Sequence, residues 1–292
     1  MKLSNEDLIA LAEVAQRAAV EAGQMVAQAR PKNVEHKEGG ATLASQVVTE
    51  IDRAAEEIIV AALSPTLEPY ALGLLTEETP DDGGRLTADY FWCIDPIDGT
   101  LPFIEGRPGY SISIALVRRD AVPQIGVVYD PVEATLYHAV AGNGLFRDGQ
   151  PWRPESQPRR DELAVFVTSR FLKLENHDAA VSGLDRVAKD MGLIGARIDV
   201  DSGAVMKACT VLDRAPACFF INPGPTGASL WDFAAIACLF AEANAIATDM
   251  GGGALDLNRA DSANMGHRGA LFASDEEVAQ RIRQLFDATS EE

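Results

Sequence analysis

The chain has 292 residues, 47% hydrophobic and 24% charged, enough for one large domain or two ordinary ones with a real core. Its 25 Lys and Arg against 44 Asp and Glu give a formal charge of −19. Such a surface repels nucleic-acid backbones and anionic lipids, so neither a nucleic-acid polymer nor a membrane is expected as a partner. A phosphate-bearing substrate would need a cation, and metal ions are the obvious source.

Ser4, with Asp7 three residues on, predicts a capped helix start. Leu8, Leu11, Ala15, Ala18, Ala22 and Met25 then recur at helical spacing until Pro31. The early acids and broken apolar pattern do not make a signal peptide. The polar stretch from Pro31 to Gln46, with Gly39 and Gly40, reads as a loop or hairpin. Thr49 is expected to open a second helix, with Asp52 in its first turn, and Pro65 to stop it. A short strand within "YALGLLTEE" ends in Glu77 and Glu78. A Pro80–Gly84 loop leads to the apolar run Tyr90–Ile94 and then to "WCIDPIDGT". "YSISIALVRR", "QIGVVYD" and "ATLYHAV", with a turn at Arg147–Gly149, predict an antiparallel meander.

"PWRPESQPRRDE" is the linker candidate and divides the chain at 1–155 and 156–292. Beyond it strands and helices alternate, with helices from about His177 to Met191, around Val205 to Leu212, after Trp231 and from Asp275. An α+β half rich in antiparallel strand thus precedes an α/β half. No run of about 18 apolar residues predicts a membrane span. Cys93, Cys209, Cys218 and Cys238 lack CxxC spacing and read as buried thiols in a reducing cytoplasm. The four scattered histidines offer no zinc motif.

The chemistry gathers at element ends. Asp95 and Asp98 close one strand, Glu77 and Glu78 another, and Asp232 and Asp52 lie near helix starts. If those ends converge, the acids repel and raise one another's pKa unless a cation joins them. Oxygen ligands without His or Cys select Mg²⁺, with Mn²⁺ a substitute, and Mg²⁺ usually works beside substrate phosphate. Gly99 would let the backbone approach an anion, and Thr100 could orient a water. The residues alone therefore suggest metal-assisted hydrolysis of a phosphate ester. Each piece also has a plain reading: a solvated Glu pair, an N-cap at Asp232, a capping-box acid at Asp52. "DPIDGT" after a fully apolar strand fits a plain turn least well.

The sequence resembles the inositol monophosphatase superfamily of metal-dependent, lithium-sensitive phosphatases. "WCIDPIDGT" is similar to its first signature and "WDFAAIACLFAEANAIATDMGG" to its second. "GVVYDPVEATLYHAVAGNGLFRDG" is similar to the region between, and "VVTEID" and "LTEE" precede them in order. The resemblance implies a layered αβαβα sandwich, often a homodimer. It implies that Glu77, Asp95, the Ile97 carbonyl, Asp98 and Asp232 bind two or three Mg²⁺. By the same resemblance Glu77, Thr100 and Asp52 serve catalysis, the last two by activating water, and the amides of Gly99 and Thr100 hold the phosphate. Glu78 is a ligand's neighbour.

The substrate implied is a small phosphorylated metabolite, of the inositol monophosphate or sugar phosphate kind. Alternatives are a 3′(2′),5′-bisphosphate nucleotidase, a histidinol-phosphatase, and a protein of this fold that binds without turnover. Asp98, Gly99, Thr100, Ser202, Gly203, Lys207 and Asp232 are the substrate-binding candidates. Lys207 in "DSGAVMKAC" could also be a snorkelling helix residue, and Lys37 either covers the site or is simply solvated. Phe219, Phe220 and Trp231 could offer a base an aromatic face, or belong to the core.

Overall fold

The computed structural model describes residues 2–29, 43–154, 159–224 and 228–289. Helix α1 (Asn5–Gln28) starts where expected. Ser4 and Asp7 form a capping box, with the Asp7 amide donating to Ser4 Oγ at 3.1 Å and the Ser4 amide to Asp7 Oδ2 at 2.8 Å. Helix α2 runs from Leu43 to Tyr70, so it starts before Thr49 and passes Pro65. Asp52 therefore lies well inside the helix and not in its first turn. Pro65 and Pro69 are tolerated because both rings face solvent. The hydroxyls of Ser64 and Thr66 also donate to the carbonyls of Val60 and Leu63, next to the interrupted ladder. Tyr70 is consequently helical, and strand β1 is confined to Gly73–Thr76. Lys37 and most of the Pro31–Gln46 segment lie outside the described residues.

After β1 come α3 (Gly84–Thr87), a short turn of helix that begins at the last residue of the expected Pro80–Gly84 loop, and strand β2 (Tyr90–Asp98). Helix α4 (Thr100–Ile104) follows, then the meander β3 (Ser111–Arg118), β4 (Pro123–Asp130), β5 (Thr135–Val140), β6 (Gly144–Arg147) and β7 (Gln150–Pro151). Asp148 and Gly149, both at positive φ, make the tight turn between β6 and β7. The second half alternates as read: β8 (Leu163–Phe166), α5 (His177–Asp190), β9 (Ala196–Asp199), α6 (Ala204–Asp213), β10 (Ala217–Ile221), α7 (Leu230–Glu242), β11 (Ile246–Thr248), β12 (Ala270–Ala273) and α8 (Glu276–Thr289).

Among the described residues the strands form two sheets, ordered β1-β2-β3-β4-β5-β6-β7 and β11-β12-β10-β8-β9. Alternation along β2 explains the layers. Trp92 and Ile94 pack with α1 and α2, whereas Phe91 and Cys93 face the opposite way, toward α6 and α7. Phe219 of β10 faces α6 and α7 from the other sheet, and Phe220 points outward to α5 and α8. The result is the expected αβαβα sandwich, with α6 and α7 between the sheets. Helix α7 lies directly on β4: a Cβ on Gly126 would meet the Ala235 carbonyl at 2.3 Å. The central core draws on both halves, from Phe91 and Val128 to Phe233 and Phe272. All four cysteines are buried free thiols. No helix among the described residues is long and apolar enough to cross a membrane.

Candidate metal centre

β1 and β2 are parallel, with Leu75 opposite Cys93 and Thr76 opposite Ile94. One residue further on, that register brings Glu77 beside Asp95, and the two carboxyl groups are hydrogen-bonded. Asp95 and Asp98 are three apart, so a regular strand would point them to opposite faces. The pairing of β2 with β3 prevents this. Asp95 pairs with Ser113 and Asp98 with Ser111, so β2 carries one residue more than β3 between those points. This β-bulge reverses the parity, turning Ile97 toward the α1/α2 core and Asp98 to the same side as Asp95. Pro96, with no N–H to lose from a ladder, suits a bulge. The Ile97 amide donates to Asp95 Oδ1 at 3.0 Å, which fixes the carboxylate.

Asp232 arrives from the far side of the layer. It is the third residue of α7, and its Oδ2 accepts the Ser229 amide at 2.6 Å in a capping box. Oxygens of Asp95, Asp98 and Asp232 lie within 4.8 Å of one another. The N-cap is therefore Ser229 and not Asp232, which closes the capping box from the third position; that bond still leaves lone pairs on its oxygens for a ligand role.

Asp98 is also tied to the second half. Its Oδ1 accepts the Ala204 amide at 3.0 Å and its Oδ2 the Val205 amide at 2.9 Å, at the start of α6. The close approach requires glycine. A Cβ on Gly203 would lie 2.1 Å from Asp98 Oδ2. Gly99 has φ +87°, and a Cβ there would meet the Gly109 carbonyl at 2.7 Å. The Gly203 amide donates to that same carbonyl at 2.7 Å, so three loops meet at three glycines. The sequence singles out Gly99 and Gly203 but not Gly109, whose only signal is its place just ahead of a buried strand.

The electrostatics are those of crowded acids. Burial, then the carboxylates of Glu77, Asp232 and Asp98, push Asp95 well above the usual range. Burial and Asp98 push Asp232 to about 7. Burial raises Asp98 to about 6, against the α6 amides and Lys207, which favour its charged form. Glu77 is exposed and Asp232 half-buried, yet dense surrounding protein still raises both. On α2, burial and then Glu78 and Glu77 raise Asp52 to about 7.

The remaining candidates are spread around this cluster. Thr100 is exposed at the first position of α4, which packs against α2. Ser202 is half-buried. Lys207 is 4% exposed and does not snorkel: its ammonium donates to the Ser202 carbonyl. Burial lowers its pKa, while Asp98, Asp199 and Asp201 oppose that shift. Glu78 pairs with Arg53 at 3.8 Å, and its amide donates to buried Glu56 at 3.0 Å. Glu56 escapes a sequence reading because it looks like an ordinary helix acid. Phe219 is core, Phe220 is buried beneath the outer layer, and Trp231 packs half-buried against the central core.

The donor set fits Mg²⁺. It consists of hard oxygens from Glu77, Asp95, Asp98 and Asp232, with no His or Cys among the described members, and mutually bonded carboxyl groups need either a proton or a cation between them.

The inositol monophosphatase family model matches residues 7–287. A putative Nus factor SuhB of Neisseria meningitidis serogroup B is 32% identical over 238 residues, covering 81% of this chain and 85% of the relative. Inositol monophosphatase 2 of Homo sapiens is 28% identical over 284 residues, covering 88% and 89%. Among solved structures, inositol monophosphatase-II of Staphylococcus aureus shares the fold with a TM-score of 0.73, at 24% identity over 94% of each chain. By the extent of the family match and the likeness to its members, the chain belongs to the inositol monophosphatase family.

Proposed function

We propose that the protein is a Mg²⁺-dependent phosphomonoesterase acting on a small phosphorylated metabolite of the inositol monophosphate or sugar phosphate kind. Family membership supports a phosphatase. The observation that carries the finer reading is the convergence of Asp95, Asp98 and Asp232 from two sheet layers on one point, with Glu77 hydrogen-bonded to Asp95.

Glu77, Asp95, Asp98, Asp232 and the Ile97 carbonyl would hold the ions, two or three in number. Bound there, Mg²⁺ would neutralise phosphate charge and acidify a water. The amides of Gly99 and Thr100 are the groups to receive the phosphate oxygens. Asp52, poised at about 7, is suited to take a proton near neutral pH, and Thr100 is the hydroxyl to relay it. Asp98 would also act through its hydrogen bonds, since its grip on the start of α6 keeps Ser202 and Gly203 beside the reacting group.

The test is phosphate release from a panel of phosphomonoesters, namely inositol monophosphates, adenosine 3′,5′-bisphosphate, fructose bisphosphate and histidinol phosphate. Release should require Mg²⁺ and be inhibited by millimolar-range Li⁺. No release from any of them would sink the reading. A second reading, a role apart from turnover, is favoured by relatives named Nus factor SuhB; it predicts that loss of Asp95 leaves the cellular role intact.

A further inference from the structure

β1 ends at Thr76, opposite Ile94, so Glu77 lies one residue past the ladder. Its side chain is exposed, and its bond to Asp95 joins two groups that repel when both are charged. The place of Glu77 therefore depends on the chain around it. Glu56, buried on α2, accepts the Glu78 amide on Oε2 at 3.0 Å and the Thr79 hydroxyl on Oε1. The Thr79 amide turns back to Thr76 Oγ1 at 3.2 Å. The tip from Thr76 to Thr79 is thus closed on itself and tied to one buried carboxylate, with both of its oxygens used. Exposed Arg53 also reaches Glu78, at 3.8 Å, but a long pair at the surface adds little.

Glu56 stands one helical turn beyond Asp52, on the same face of α2. Glu78 and Glu77 lie close enough to Asp52 to raise it. The grip of Glu56 on the tip of β1 therefore sets the helix that carries Asp52 against the loop that carries Glu77. Hydrogen bonds to an ionised carboxylate are the strong kind, and a buried one is costly to leave half-satisfied.

We propose that Glu56 is a positioning residue for the metal centre. It acts through its hydrogen bonds to Glu78 and Thr79, which hold Glu77 in place as a ligand. The proposal rests on the Mg²⁺ reading of the carboxylate cluster given above.

Mn²⁺, a paramagnetic substitute for Mg²⁺, tests it without substrate. Binding to the full chain is followed by the electron paramagnetic resonance signal of the free ion. Glu56→Ala removes both acceptors and should weaken Mn²⁺ binding about tenfold or more, the scale of losing a partner that orients a ligand. Glu56→Gln keeps an acceptor for the Glu78 amide and gives the Thr79 oxygen a donor. It should stay within about threefold of the wild type, the scale of one partly screened charge. Thr79→Val removes only a hydroxyl at an exposed position, so its metal-free melting temperature should match the wild type while Mn²⁺ binding weakens at least about threefold. In phosphate release, Glu56→Ala should raise the Mg²⁺ concentration for half-activation more than it lowers kcat at saturating Mg²⁺. Wild-type Mn²⁺ binding in Glu56→Ala and Thr79→Val overturns the proposal. So does Glu56→Gln binding as weakly as Glu56→Ala, because charge and not hydrogen bonding would then be at work. If Glu56→Ala does not fold, the other two decide: retention in Glu56→Gln with loss in Thr79→Val supports the proposal, and any other pattern refutes it. A wild-type protein that binds no Mn²⁺ sinks the metal reading itself, an outcome distinct from equal binding by wild type and variants.

Discussion

The tips of β1 and β2 and the tips of β8 and β10 are built from opposite materials. The first gather acids on a buried strand, aimed by a bulge and braced by the ends of α6 and α7. The second gather cations on exposed connecting segments over aromatic walls. A centre that is to hold a metal needs fixed geometry, which buried Asp95 and Asp98 and their backbone hydrogen bonds supply. Connecting segments of the second kind can vary without disturbing the core. The two halves of the chain have their meeting point at Asp98, whose strand lies in the first and whose donors, the Ala204 and Val205 amides at the start of α6, lie in the second.

The largest effect should come from Asp95→Ala. Phosphate release should fall by at least about 10²-fold, the scale of removing a group that organises transition-state charge. The metal-free fold should not weaken in step, because the change also removes a carboxylate crowded by Glu77, Asp232 and Asp98. Parallel assays of activity and thermal melting check both parts.

Gly203→Ala tests the meeting point. The added methyl would lie 2.1 Å from Asp98 Oδ2, so either the carboxylate or the start of α6 must shift. A stability loss of about 1–3 kcal/mol is expected, with weaker Mg²⁺ activation measured by titrating the metal.

A smaller effect follows from protonation. A carboxyl raised in the folded state still binds a proton that the unfolded chain has released. Asp52 and Asp232, raised from 3.8 to about 7, therefore favour folding at low pH. That contribution fades as pH climbs from the ordinary carboxylate value to about 7, and the loss is complete above it. The metal-free protein should melt several degrees lower at about pH 8 than at about pH 5, and Mg²⁺ should close the gap. A metal-free melting temperature that rises across that window would contradict the crowding of these acids.

Ser4→Ala should be the mildest change. It removes the acceptor for the Asp7 amide and should cost about 1 kcal/mol with phosphate release unaltered. Loss of activity there would break the separation of scaffold from site.

Much of the site is legible in the sequence because the chemistry is local there. "WCIDPIDGT" announces an apolar strand, two acids and a glycine, and the structure brings Asp95 and Asp98 together on one side of it. The bulge that does so is not written in those nine residues. It appears only in the pairing with Ser111 and Ser113. The grip of Asp98 on Ala204 and Val205 is equally invisible, since it joins positions more than a hundred residues apart. Prolines mislead over α2: Pro65 looks like a stop, yet on a solvent-facing side with hydroxyls nearby the helix continues to Tyr70. Lys207 looks like an exposed helix cation because a sequence cannot show that Ser202 folds back over it.

The most direct measurement is phosphate release by the wild-type protein as free Mg²⁺ is raised from zero, alongside Asp95→Asn and Asp232→Asn. The account predicts no release without the ion, saturating activation in the wild type, and loss of that activation in both variants. Release that is equal with and without Mg²⁺, or activation that survives in both variants, would contradict it.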